Sequence, residues 1–120
     1  MTRLFLDTNV VLDFLADRKP FASDAAIIFE ASHRRLVNLY LSDISFNNIY
    51  YILRQQLNHQ TAIKHITSLL NLSNTVAVDT KVLQLAASSA LKDFEDAIQY
   101  HCAMQVPDLD AFLTRDTKGF

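Results

Sequence analysis

At 120 residues the chain is sized for one domain, and with half its residues hydrophobic and a fifth charged it has an ordinary globular balance. A net charge of −2 argues against a strong non-specific nucleic-acid binder, but not against a nuclease, because a bound cation changes the local sign. The single cysteine, Cys102, excludes an internal disulfide, and neither a signal pattern nor an apolar run near the ~20 residues of a membrane span is present, so a soluble cytoplasmic protein is expected.

One Gly and two Pro predict few flexible loops and many helices. Leu4–Leu6 reads as a short buried strand, and Val10–Leu15 as a helix that breaks around Lys19-Pro20. Phe21, Ala25, Ile28 and Phe29 recur at helical spacing, which predicts a helix over 22–34. VNLYL (37–41) reads as a second strand. Ser42 is positioned to cap a helix running to Leu57, with Ile49, Ile52, Leu53 and Leu57 on its apolar face. A further helix is predicted over 60–71, a strand at TVAV (75–78), and a helix capped by Asp79 or Thr80. Asp93 opens a helix to about Gln105, and DAFLT (110–114) reads as a fourth strand. Strands alternating with helices predict an α/β fold, a parallel sheet covered on both faces. In such sheets ligands bind beyond the carboxyl ends of the strands, which makes the strand-end residues the ones to weigh.

Three acids stand there. Asp7 follows the first strand, Asp116 follows the fourth, and Asp96 lies in the first turn of the helix opened by Asp93. Carboxylates gathered in one crevice repel unless a cation compensates them, and hard oxygen donors suit Mg2+ or Mn2+. Each also has a structural reading: Asp7 as a helix cap, Asp96 as part of a capping box, Asp116 as a turn residue. Asn48 falls in the helical stripe of Ile44 and Ile52, so its amide either faces inward, where it needs partners, or faces water beside Asn47.

The segments LFLDTNVVLDFL (4–15), LSDISFNNIYYIL (41–53), DFEDAIQYHCA (93–103) and FLTRDTKGF (112–120) together resemble, in order, the motifs of the PIN domain, the fold of VapC-type toxin ribonucleases. The resemblance implies a three-layer sandwich around a central parallel sheet of four strands, where the family usually has five. It implies a single domain over 1–120 that lacks the final strand. It implies a ribonuclease that hydrolyses RNA phosphodiesters with Mg2+ or Mn2+ held by Asp7, Asp96 and Asp116. It also implies an antitoxin protein partner and a homodimer. Thr8, Asn9 and Thr114 would orient carboxylates or waters, and Arg115 and Lys118 would contact phosphate; helix caps and solvated loop positions are the alternatives for these residues. The family commonly has a Glu where this chain has Asn48, and its last motif often ends in Asp-Phe where this chain has Gly119-Phe120.

Glu95 adjoins Asp96 and is turned about 100° from it on a helix, so it is expected to be solvated or structural. Asp13 is expected in a solvated salt bridge with Arg18. The four His show no metal-ligand spacing, and Cys102 reads as a buried thiol. The apolar faces around Ile49–Leu57 and Ile63–Leu70 read either as core or as a dimer or antitoxin surface. Two other function classes stay open: a PIN-like module that binds RNA or protein without chemistry, and a receiver-like domain phosphorylated at Asp79.

Overall fold

Side-chain caps set most of the element boundaries. A computed structural model of the chain describes residues 1–115. The first strand, β1 (Thr2–Leu6), runs into Asp7, which caps α1 (Thr8–Leu15). After α2 (Ala22–His33) and β2 (Val37–Ser42), the Ser42 hydroxyl accepts from Ser45 N at 3.2 Å and starts α3 (Asp43–Gln56). Asn58 caps α4 (His59–Leu72), which leads to β3 (Asn74–Val76). Asp79 caps α5 (Thr80–Ala87), Asp93 caps α6 (Phe94–Ala103), and β4 (Ala111–Leu113) follows. Each such cap satisfies a backbone N–H that the helix leaves unpaired, worth about 1 kcal/mol.

The four described strands are all parallel, in the order β3-β2-β1-β4. Alternation along the strands separates two cores. Leu6, Leu39 and Leu41 point with Val11, Leu12, Phe29, Ile49 and Leu53 into a core covered by α1 to α4. Phe5 points the other way, toward Val82, Ala97, Ile98, Cys102 and Ala103 of α5 and α6. The helices on both faces make the predicted three layers.

Boundaries moved by a few residues. The third strand ends at Val76 rather than Val78, because Val78 N donates to the Asp43 side chain at 3.3 Å instead of to a strand. The sixth helix ends at Ala103, where Met104 caps it, short of the expected Gln105. Of the two apolar faces left open by the sequence, Ile49, Leu53, Ala62 and Leu69 are core, while Ile63 and Leu70 stay 40% and 47% exposed.

The chain leaves β1 toward β2 on one side, and β4 joins β1 on the other. The strand ends diverge there, and the crevice of an open α/β sheet forms at such a switch point. Asp7 occupies it: its N donates to Leu113 O of β4 at 3.0 Å.

Candidate active site

Asp7 is held in one rotamer by what surrounds it. It is 5% exposed, its Oδ1 accepts from Thr8 N at 2.7 Å, and its Oδ2 accepts from the Thr114 hydroxyl at 3.0 Å. Thus the residue just past β4 orients the carboxylate just past β1. These two bonds fix the orientation of the Asp7 carboxylate.

Asp7 opens onto a depression of about 480 Å³ lined by Thr8, Asn9, Asn48, Tyr51, Ile52, Asp93, Glu95 and Asp96. Three helix starts or faces converge here: α1 brings Asp7, α3 brings Asn48, and α6 brings the acids of its first turn. Asp96 is half-buried, its backbone N donating to Asp93 Oδ1 at 3.0 Å. Asn48 is half-buried while Asn47 is exposed, so the amide faces the depression rather than open water. Its Nδ2 donates to Glu95 Oε1 at 3.2 Å, bridging α3 and α6 across the rim.

Of the residues singled out in the sequence, Asp7, Thr8, Asn9, Asn48 and Asp96 share this depression, and Thr114 bonds Asp7. Thr8 is buried, its hydroxyl 2.9 Å from Ser45 Oγ, so it lies beneath the site floor. Asn9 Oδ1 accepts from Arg18 Nη1 at 3.3 Å. Arg115 belongs to a different depression, of about 300 Å³ and shared with Asp13 and Phe21. There its Nε donates to Asp13 Oδ2 at 2.8 Å, and its guanidinium sits 4.3 Å from the Phe21 ring centroid. Asp116 and Lys118 lie outside the described residues, as does Gly119-Phe120.

One expectation needs correction. Asp13 is 2% exposed and pairs closely with Arg115, with Arg18 at 4.0 Å, so its salt bridge is buried rather than solvated. Glu95 is exposed, as expected, and accepts from the Asn48 amide on the same rim as Asp96. The 100° argument holds for two ligands of one ion; it does not keep both residues of a helix's first turn off one rim. Tyr51, 62% exposed at the rim, had no signal beyond its neighbour Ile52.

The lining offers carboxylate, amide and hydroxyl oxygens and neither imidazole nor thiolate. That donor chemistry fits Mg2+ or Mn2+, and its accumulated negative charge favours a cation. Among the described residues no group of three or more His, Cys, Asp or Glu is gathered tightly enough to hold an ion alone. Mg2+ tolerates this, since it keeps several waters and needs only one or two carboxylates. Cys102 is no alternative nucleophile: burial first, then Asp43 and Asp79, push its thiol up to about 12.

A family model described as PIN domain matches residues 3–118. The structure is similar to the crystal structure of Mycobacterium tuberculosis VapC20, described as a sarcin-ricin loop cleaving toxin. The TM-score is 0.73 at 12% identity, over 95% of this chain and 90% of that one. It is also similar to Rickettsia felis VapBC2 bound to a DNA fragment from its promoter, with a TM-score of 0.57 at 11% identity, over 85% of this chain and 80% of that one. No curated protein matches the sequence. Identities this low speak for the fold alone.

Proposed function

This chain belongs to the PIN domain family, and we propose that it is a Mg2+- or Mn2+-dependent endoribonuclease, the toxin of a toxin–antitoxin pair. The observation that carries the reading is the convergence of Asp7, Asp96 and Asn48, from three separate elements, on one acidic depression at the β1/β4 switch point.

In this reading Asp7 and Asp96 hold the ion, and Asp116 adds a third carboxylate. When bound, Mg2+ or Mn2+ makes water more acidic and offsets charge on the phosphoryl oxygens. Thr8 N and the Thr114 hydroxyl keep Asp7 from rotating when substrate arrives. The Asn48 amide holds Glu95 at the rim, where its charge adds to the attraction for the cation. Tyr51 offers an exposed aromatic face at the same rim, which suits stacking of an unpaired RNA base. The leaving group is the RNA 3′-oxygen.

The two structural neighbours are in keeping with a toxin–antitoxin setting: one is described as a sarcin-ricin loop cleaving toxin, and the other as VapBC2 bound to a DNA fragment from its promoter. An antitoxin partner, a homodimer and a cytoplasmic location follow for this chain as parts of the proposal. No helix among the described residues is long and apolar enough to cross a membrane.

A second reading has its own observation. Residue 48 is an amide that adds no charge, and no tight ligand group forms among the described residues. A binding module without chemistry would look the same there. Single-stranded RNA incubated with the protein and Mn2+, Mg2+ or EDTA separates the two. Cleavage with metal and none with EDTA is expected. RNA retained intact in every condition, with binding by gel shift, would favour the module.

A further inference from the structure

We infer that Gln99 is a positioning residue of the metal site, locking α6 against α1 and α3 through a buried polar knot. The inference rests on reading the acidic depression as a metal site. Gln99 is 1% exposed, in the layer between α6 and the sheet edge. Its Nε2 donates to Ser45 Oγ at 3.0 Å and reaches Thr8 Oγ1 at 3.4 Å. Thr8 and Ser45 hydroxyls are 2.9 Å apart, and Ser45 Oγ is 3.0 Å from Ser42 Oγ. Four buried polar side chains, from the starts of α1 and α3 and the middle of α6, thus meet at one point.

Three of the four knot residues stand beside a residue of the depression, in sequence or one helical turn away. Thr8 follows Asp7, Ser45 precedes Asn48 by three, and Gln99 follows Asp96 by three. A spacing of three keeps two side chains on one helix face. The bonds therefore fix the rotation of α6 about its own axis, and with it where Asp96 stands relative to Asp7 and Asn48.

Stability alone gives no reason for a glutamine here. Its Oε1 is buried without a hydrogen-bond partner, and an unpaired buried carbonyl is destabilising. The knot remains satisfied without it, because Thr8 and Ser42 both pair with Ser45. Methionine has the same length and leaves no polar atom unpaired. What methionine lacks is a directed bond.

The test is Gln99→Met in the full chain, with calorimetric Mn2+ titration and thermal melts in EDTA. The Tm is expected to stay level or rise, while Mn2+ affinity falls about tenfold, as for other residues that orient metal ligands. Ser45→Ala removes the acceptor from the opposite helix and should weaken Mn2+ comparably. The double variant should be no worse than the weaker-binding single one, since both cut the same bond. Unchanged affinity in Gln99→Met overturns the inference whatever the Tm does. A loss of affinity with a Tm fall beyond about 5 °C also overturns it, because it marks a structural strut. A wild-type chain that takes up no Mn2+ overturns the metal-site reading itself, and this inference with it.

Discussion

Asp7 caps α1 and Asp13 lies within its last turn; they are 5% and 2% exposed, yet they are held in different ways. Asp7 accepts from a backbone N–H and a threonine hydroxyl. Asp13 accepts from the Arg115 guanidinium at 2.8 Å, with Arg18 at 4.0 Å. A backbone N–H and a hydroxyl aim the Asp7 carboxylate; the guanidinium at Asp13 also compensates charge. The arrangement at Asp13 ties the segment after β4 to α1, whereas the arrangement at Asp7 presents an aimed anion to an open depression. Burial does not by itself separate a ligand from a strut; what the carboxylate faces does, an acidic depression at Asp7 and an arginine at Asp13.

The largest test of that contrast is Asp7→Asn. Asparagine is an equally good cap, so the helix start should survive. Metal-dependent RNA cleavage is expected to fall on the order of a hundredfold or more, the scale for losing a main electrostatic contributor in a site. Circular dichroism should be unchanged. Cleavage within a fewfold of wild type would remove Asp7 from the site.

Next in size is the response to metal. An ion that binds only the folded chain stabilises it by about 2.7 kcal/mol when present at a hundred times its Kd. Mn2+ should therefore raise the wild-type Tm by several degrees above a monovalent salt of equal ionic strength. The gain should vanish in Asp7→Asn and persist in Asp13→Asn. Equal gains in both variants would place the ion elsewhere and dissolve the distinction between the two acids.

Asp13→Asn should act on stability instead. Breaking a buried pair by removing one charge commonly costs about 3–5 kcal/mol. Arg115 keeps 30% exposure and can rehydrate, so about 2 kcal/mol is the better figure. For a chain of this size that is roughly an 8 °C fall in Tm, read by calorimetry without metal. A fall in Mn2+ affinity with no change in Tm would reverse the assignment of the two residues.

The same pair shows what was legible in the sequence. Strand order aside, the elements were readable because their signals are local: alternation in VNLYL, and Ser42, Asp79 and Asp93 placed one residue before an apolar periodic run. Asp7 at a strand end was readable for the same reason. The burial of Asp13 was not, because its partner Arg115 is 102 residues away and nothing in LDFLADR announces it. Glu95 was legible as solvated or structural from its angle to Asp96, but its contact with Asn48, 47 residues away, was not. Gln99 carried a signal: it is a polar residue in the buried stripe of Ala97, Ile98, Cys102 and Ala103, the same oddity that drew notice to Asn48.

The smallest expected effect is also the most diagnostic of the depression's charge. Asn48 Nδ2 donates to Glu95 Oε1 at 3.2 Å, so Asn48→Glu replaces a donor with a second carboxylate facing the first. In EDTA the variant should melt lower, by roughly 3 °C, because the like charges are partly screened by solvent at an exposed rim. Added salt should shrink that deficit. With Mn2+ the sign reverses: the new carboxylate is a hard donor beside Asp7 and Asp96, so affinity and Tm should both exceed those of the wild type. Adding Glu95→Gln removes the repulsion and should restore the Tm in EDTA while keeping part of the gain in Mn2+. At Asp13 the same logic predicts nothing, since its charge is already met by Arg115. Matching melts for wild type and Asn48→Glu in both EDTA and Mn2+ would mean that residue 48 faces water, as most inert surface substitutions do. The depression would then lose one of the three elements that define it.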